Sequence, residues 1–156
     1  MCHCEPRGGE AISKLQLGIA SSQTLRAPRN DRLNAMKNFQ IGQSATSKRT
    51  FTKADLSEFA SLAGIAQEPR AVPGPLLSGM FSYLLGTTLP GRGTNYLKQH
   101  LEFSRPAFVG DELKATVEIV RLRPEKNLVN LRTSCTNAHG EIVCEGEALV
   151  FVKDVE

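Results

Sequence analysis

The sequence predicts an α+β fold in which a curled antiparallel sheet wraps around one central helix. Three observations carry that prediction. The last third of the chain alternates apolar and polar residues, strand after strand, as half-buried antiparallel strands do. Residues 76–85 are apolar nearly all round, so a helix there has no polar face and is expected to be buried on all sides. The 156 residues, 40% apolar and 22% charged, suffice for one packed domain.

Charge and composition exclude whole classes of function. The net charge is +3 and the basic residues are scattered, so no nucleic-acid footprint is expected. No apolar run approaches the ~18 residues of a membrane span. Four cysteines do not make a disulfide scaffold. These bounds point to a cytoplasmic protein with neither nucleic acid nor membrane as partner.

Residues 1–35 hold Gly8-Gly9, Ser21-Ser22, Pro6 and Pro28 and show no sustained apolar period. They read as a disordered extension, with Met36 as the expected true start and residues 36–156 as the domain. Cys2-His3-Cys4 offers three soft ligands without the fourth that zinc takes, so no metal is expected. Residues 44–51, rich in Ser and Thr, suit a first strand. Thr52-Lys53-Ala54-Asp55 resembles a capping box, with Asp in the final place. Leu56, Phe59, Ala60 and Ala63 then line one helix face, and Gly64 suits its stop. Pro69, Pro73, Gly74 and Pro75 mark a loop, with Pro75 fit for the first turn of the apolar helix.

Four strands follow. Leu97, Leu101 and Phe103 oppose Lys98, His100 and Glu102, and Gly110-Asp111 marks a turn. Leu113, Ala115, Val117 and Ile119 alternate with polar residues, and residues 124–127 form a turn. Val129, Leu131, Thr133 and Cys135 share a face. His139-Gly140 is expected to be a two-residue hairpin loop, which pairs 138 with 141 and sets Cys135 opposite Cys144. Those thiols are expected to stay free in a reducing compartment. Residues 142–152 close a four-strand antiparallel meander. Wrapping this sheet around the apolar helix is the hotdog architecture.

Phe51-Thr52-Lys53-Ala54-Asp55, Phe59-Ala60, Gly79-Met80, Leu84-Leu85-Gly86-Thr87, Leu89-Pro90-Gly91 and Gly93-Thr94 together resemble the MaoC-like (R)-specific enoyl-CoA hydratases. Phe103-Ser104-Arg105-Pro106, Val109-Gly110-Asp111, Gly140-Glu141 and Glu145-Gly146-Glu147-Ala148 extend the resemblance over about residues 38–153. The resemblance implies a hotdog dimer, either of two copies or of this chain with an active paralogue. It implies no separate cofactor, because CoA or acyl carrier protein belongs to the substrate. It implies reversible addition of water to a trans-2-enoyl thioester, a hydratase and dehydratase (lyase) chemistry of fatty acid metabolism. The family's Gly-Asp-x-Asn-Pro-x-His loop holds and deprotonates that water.

The chain departs from the family at this loop. Ile65 stands at the Asp position, Gln67 at the Asn and Arg70 at the His. Ser78 stands where a second His would precede the Gly of the central helix, and the stretch from Gly64 to Gly79 is shorter than the family's. Ile65 takes no proton, and Arg70 stays protonated. Glu68 is the candidate base, and Ser78 a candidate nucleophile with no base beside it. The amides of Gly79 and Met80, read as the helix start, are expected to bind the thioester carbonyl. Leu76, Leu77, Met80 and Phe81 are expected to line the acyl tunnel. His100, on a polar strand face, and His139, at a hairpin tip, do not read as bases. Two alternatives stay open. One is a thioesterase using Glu68 or Glu58; the other is a non-catalytic module that binds acyl thioesters or stabilises a paralogue.

Overall fold

The computed structural model describes residues 36, 38–66 and 69–152. Residues 1–35, with Cys2-His3-Cys4, and Glu68 lie outside these. The elements are β1 (Ser44–Thr50), α1 (Lys53–Ala63), α2 (Gly74–Thr87), β2 (Thr94–Phe103), β3 (Glu112–Arg123), β4 (Leu128–Thr136) and β5 (Ile142–Val152). The five strands form one antiparallel sheet in the order β1-β3-β4-β5-β2. Helix α2 packs on its concave face, and the architecture is the hotdog. Among the described residues no helix is long and apolar enough to cross a membrane.

Helix α1 starts as its sequence dictates. The Thr52 hydroxyl accepts from the Asp55 amide at 3.3 Å, and the Asp55 carboxylate accepts from the Thr52 amide at 2.7 Å. Each satisfies a first-turn donor that has no intrahelical partner. Gly64 ends the helix at φ 68°, in the left-handed region that glycine enters without a Cβ penalty.

The floor of the molecule is β3, β4 and β5. Leu113, Ala115, Val117, Ile119, Val129, Leu131, Cys135, Val143, Cys144, Ala148, Val150 and Val152 are buried there. Thr133 is the buried polar residue among them, and its hydroxyl takes a hydrogen bond from Gln99 at 3.1 Å. Asn127 closes the turn after β3 at φ 54°.

Three expectations change. The meander holds for β3, β4 and β5, whereas β2 pairs with β5 at the far edge. Alternation fixes which face of a strand is buried but not which strand lies beside it. Residues 104–111 carry the chain across the end of the sheet, anchored by Ser104 N–H to the Val143 carbonyl and Gly110 N–H to that of Phe51. Gly146 lets β2 approach, because a Cβ there would collide with the His100 carbonyl oxygen.

The hairpin also differs. Its turn is residues 137–140, with the Gly140 amide on the Asn137 carbonyl and the Asn137 amide on the Glu141 carbonyl, both at 3.0 Å. The Asn137 side-chain oxygen accepts from the His139 and Glu141 amides, which draws the turn back by one residue. Asn137 therefore faces Glu141, not 138 with 141. A bulge below it restores the pairing of Cys135 with Cys144, so that part of the expectation holds. Both thiols are free and buried.

Finally, α2 is not buried all round. Leu77, Met80, Phe81, Leu84 and Leu85 are buried, while Pro75, Gly79, Ser82 and Tyr83 are exposed. A single sheet covers one side of a helix and leaves the other open.

Candidate substrate site

The open side of α2 faces β1 across a cleft of about 410 Å³. Ser47, Lys48, Arg49 and Phe51 form one wall, and Pro75, Leu76, Gly79, Met80 and Tyr83 form the other. The helix wall follows from its 3.6-residue period: positions 76, 79, 80 and 83 share one face, and 77, 81, 84 and 85 share the face toward the sheet. A Cβ built on Gly79 meets no atom within 4 Å, so this residue opens the cleft rather than closing a contact.

The basic residues of the β1 wall are already paired. Lys48 binds Glu112 at 2.9 Å and Arg49 binds Asp55 at 2.8 Å, with the Arg49 guanidinium 4.8 Å from the Phe51 ring centre. The Asp55 carboxyl is held below the usual carboxylate range, first by the Thr52 amide and then by the Thr52 hydroxyl and Arg49. It stays ionised and engaged, which unsuits it for taking a proton from water. Among the described residues that line the cleft, none is a carboxylate or an imidazole.

The expected site residues divide. Leu76, Gly79 and Met80 meet in the cleft. Leu77 and Phe81 turn toward the sheet, 2% and 0% exposed, and do not line it. Helix α2 begins at Gly74, so Gly79 and Met80 lie in its second turn, where amides belong to the helical ladder. Their expected role as free donors at the helix start is therefore corrected. Leu76 and Leu77 donate to the Pro73 carbonyl at 3.0 and 3.4 Å, and Pro75 has no N–H. The remaining first-turn amide is that of Gly74, and a Cβ there would lie 3.0 Å from the Phe103 ring.

Ser78 also sits in the second turn, outside the cleft lining, and not at the helix start. Glu58 is exposed on α1 and does not line the cleft. His100 bonds Glu102 at 3.2 Å on the outer side of edge strand β2, and His139 lies in the hairpin turn, as the sequence indicates. Sequence reasoning missed Ser47, Lys48, Arg49, Phe51, Pro75 and Tyr83. The signal for Tyr83 was present, since it follows Leu76, Gly79 and Met80 at i+7 from the first. The β1 residues carry no comparable mark.

No family model matches the chain. An (R)-specific enoyl-CoA hydratase of Rhodospirillum rubrum is 39% identical over 134 residues, covering 77% of this chain and 92% of that protein. An (R)-specific enoyl-CoA hydratase of Aeromonas caviae is 38% identical over 128 residues, covering 73% of this chain and 96% of that protein. Among solved structures, the Aeromonas caviae (R)-hydratase involved in PHA biosynthesis superposes with a TM-score of 0.70 at 35% identity, covering 74% of this chain and 98% of that one.

Proposed function

We propose that this chain, which belongs to the MaoC-like family of (R)-specific enoyl-CoA hydratases, acts on acyl thioesters of CoA held in the cleft between β1 and α2. The observation that carries the reading is the cleft wall of Leu76, Gly79, Met80 and Tyr83 on the central helix of a family member. Phe51, Leu76 and Met80 suit an acyl chain, which gains about 0.8 kcal/mol per buried methylene. CoA enters as part of the substrate, and no further cofactor is called for.

Hydration adds water across the enoyl double bond. A base takes a proton from water, the oxygen bonds to C3, and C2 gains a proton. Glu68 is the base we assign, or else a group from a partner subunit. The exposed Tyr96, Leu97 and Phe103 on the edge strand β2 support pairing with a second hotdog chain, a copy of this one or a paralogue.

A second reading is favoured by one observation: among the described residues no carboxylate or imidazole lines the cleft. On that reading the chain binds acyl thioesters without turning them over. Incubation with crotonyl-CoA, followed by mass spectrometry of the CoA species, tests both. A gain of one water on the intact thioester supports hydration, and Glu68→Gln then lowers the rate at least ~10²-fold. Unchanged crotonyl-CoA with a raised melting temperature supports the binding module. Free CoA points to thioester hydrolysis and contradicts both.

A further inference from the structure

Ser47, Ala115, Cys135, Cys144 and Phe103 form one row across all five strands. The two cysteines at its centre are directly opposite each other on β4 and β5, 1% and 0% exposed. Residues opposed in an antiparallel pair have Cα atoms ~4.5–5.5 Å apart. That range lies within the ~4.4–6.8 Å span of a disulfide. The row therefore holds two free thiols at a separation a disulfide accepts without moving the backbone far. Nothing in the proposed chemistry uses them.

We propose that Cys135 and Cys144 are a peroxide-oxidisable dithiol pair that closes to a cross-strand disulfide and fastens the β4–β5 hairpin. The Cys135 thiolate attacks one peroxide oxygen, the O–O bond breaks, and hydroxide leaves, giving a sulfenic acid on Cys135. The Cys144 sulfur, losing its proton, then attacks the Cys135 sulfur, and the S–O bond breaks with release of water. In sum two thiols and one hydrogen peroxide give one disulfide and two waters.

Each thiol shifts the other: Cys144 holds the Cys135 thiol below its ordinary value against the effect of burial, and Cys135 together with burial pushes the Cys144 thiol up. Access comes from the end of the hairpin. The pair lies one register step below Thr136 and Ile142, next to a bulge. Closure of that end rests on the Asn137–Glu141 hydrogen bond at 2.9 Å and the Arg105–Glu141 ion pair at 2.7 Å. Fraying of this end exposes the sulfurs without global unfolding.

The test treats the folded full chain with hydrogen peroxide, blocks remaining thiols by alkylation, and maps the digest by mass spectrometry. The expected product is a peptide pair joined through Cys135 and Cys144, reversed by dithiothreitol. With Cys144→Ser, dimedone accumulates on residue 135. With Cys135→Ser, no cross-linked peptide pair forms through residue 144. Full alkylation of both residues after peroxide treatment overturns the proposal, as does linkage only to Cys2 or Cys4. Circular dichroism of each variant confirms that a lost label is not a lost fold.

Discussion

The floor of this molecule and the wall of its cleft are built by different rules. On the floor, β3, β4 and β5 bury one face against α2, apolar except for Thr133. At the cleft, β1 and the outer face of α2 stand apart, joined through α1 and a connection of ten residues from Gly64 to Pro73. Gly79, Ser82 and Tyr83 face outward there. The floor holds the core, and the wall is left open to solvent.

Substitutions on the two faces of α2 sharpen this contrast most. Phe81 is fully buried against the sheet, so Phe81→Ala costs about 3–5 kcal/mol by chemical unfolding. Tyr83, 60% exposed, loses within about 0.5 kcal/mol as Tyr83→Ala. A large cost at Tyr83 in the isolated chain would break the comparison, since it would mean the outer face is packed.

The floor has one polar weak point. Gln99→Leu leaves the Thr133 hydroxyl buried without its partner at 3.1 Å and costs about 1–3 kcal/mol. An unchanged denaturation midpoint would show that the Thr133 hydroxyl finds another partner. At the cleft the sign reverses. Gly79→Ala adds a Cβ that meets nothing and replaces a helix-interior glycine, so it stabilises by about 0.5–1 kcal/mol.

The smallest effect is a pH dependence at the cleft rim. The folded chain holds the Asp55 carboxyl below its ordinary value. Its contribution to stability is therefore complete above the ordinary carboxylate pKa and is lost as pH falls through the lowered one. Asp55→Asn flattens that part of the acid limb of a stability-against-pH curve and leaves the limb above neutrality unchanged.

Much of the floor was legible in the sequence because period-two alternation reports burial directly. Leu113, Ala115, Val117 and Ile119 needed no other information. The α1 cap was equally legible, because Thr52 and Asp55 act within four residues of each other. The place of β2 beside β5 was not, since it depends on the path of residues 104–111 and on the missing Cβ of Gly146. At the site, Leu76, Gly79 and Met80 were found, but Leu77 and Phe81 were grouped with them. An apolar helix hides its two faces when both are apolar, and only the turn-by-turn spacing separates them. The β1 wall was missed because Ser47, Lys48 and Arg49 read as an ordinary polar strand.

The central claim is that the acyl thioester occupies the cleft beside Gly79. Thermal melts of the native chain and of Gly79→Phe, each titrated with crotonyl-CoA, test it most directly. Binding raises the melting temperature of the native chain, by an amount that reaches about 2.7 kcal/mol of stabilisation at a hundredfold excess over Kd. The Phe side chain enters the open cleft rather than the buried face of α2, so the variant folds and the rise disappears. An equal rise in both proteins would contradict the account and place the thioester elsewhere.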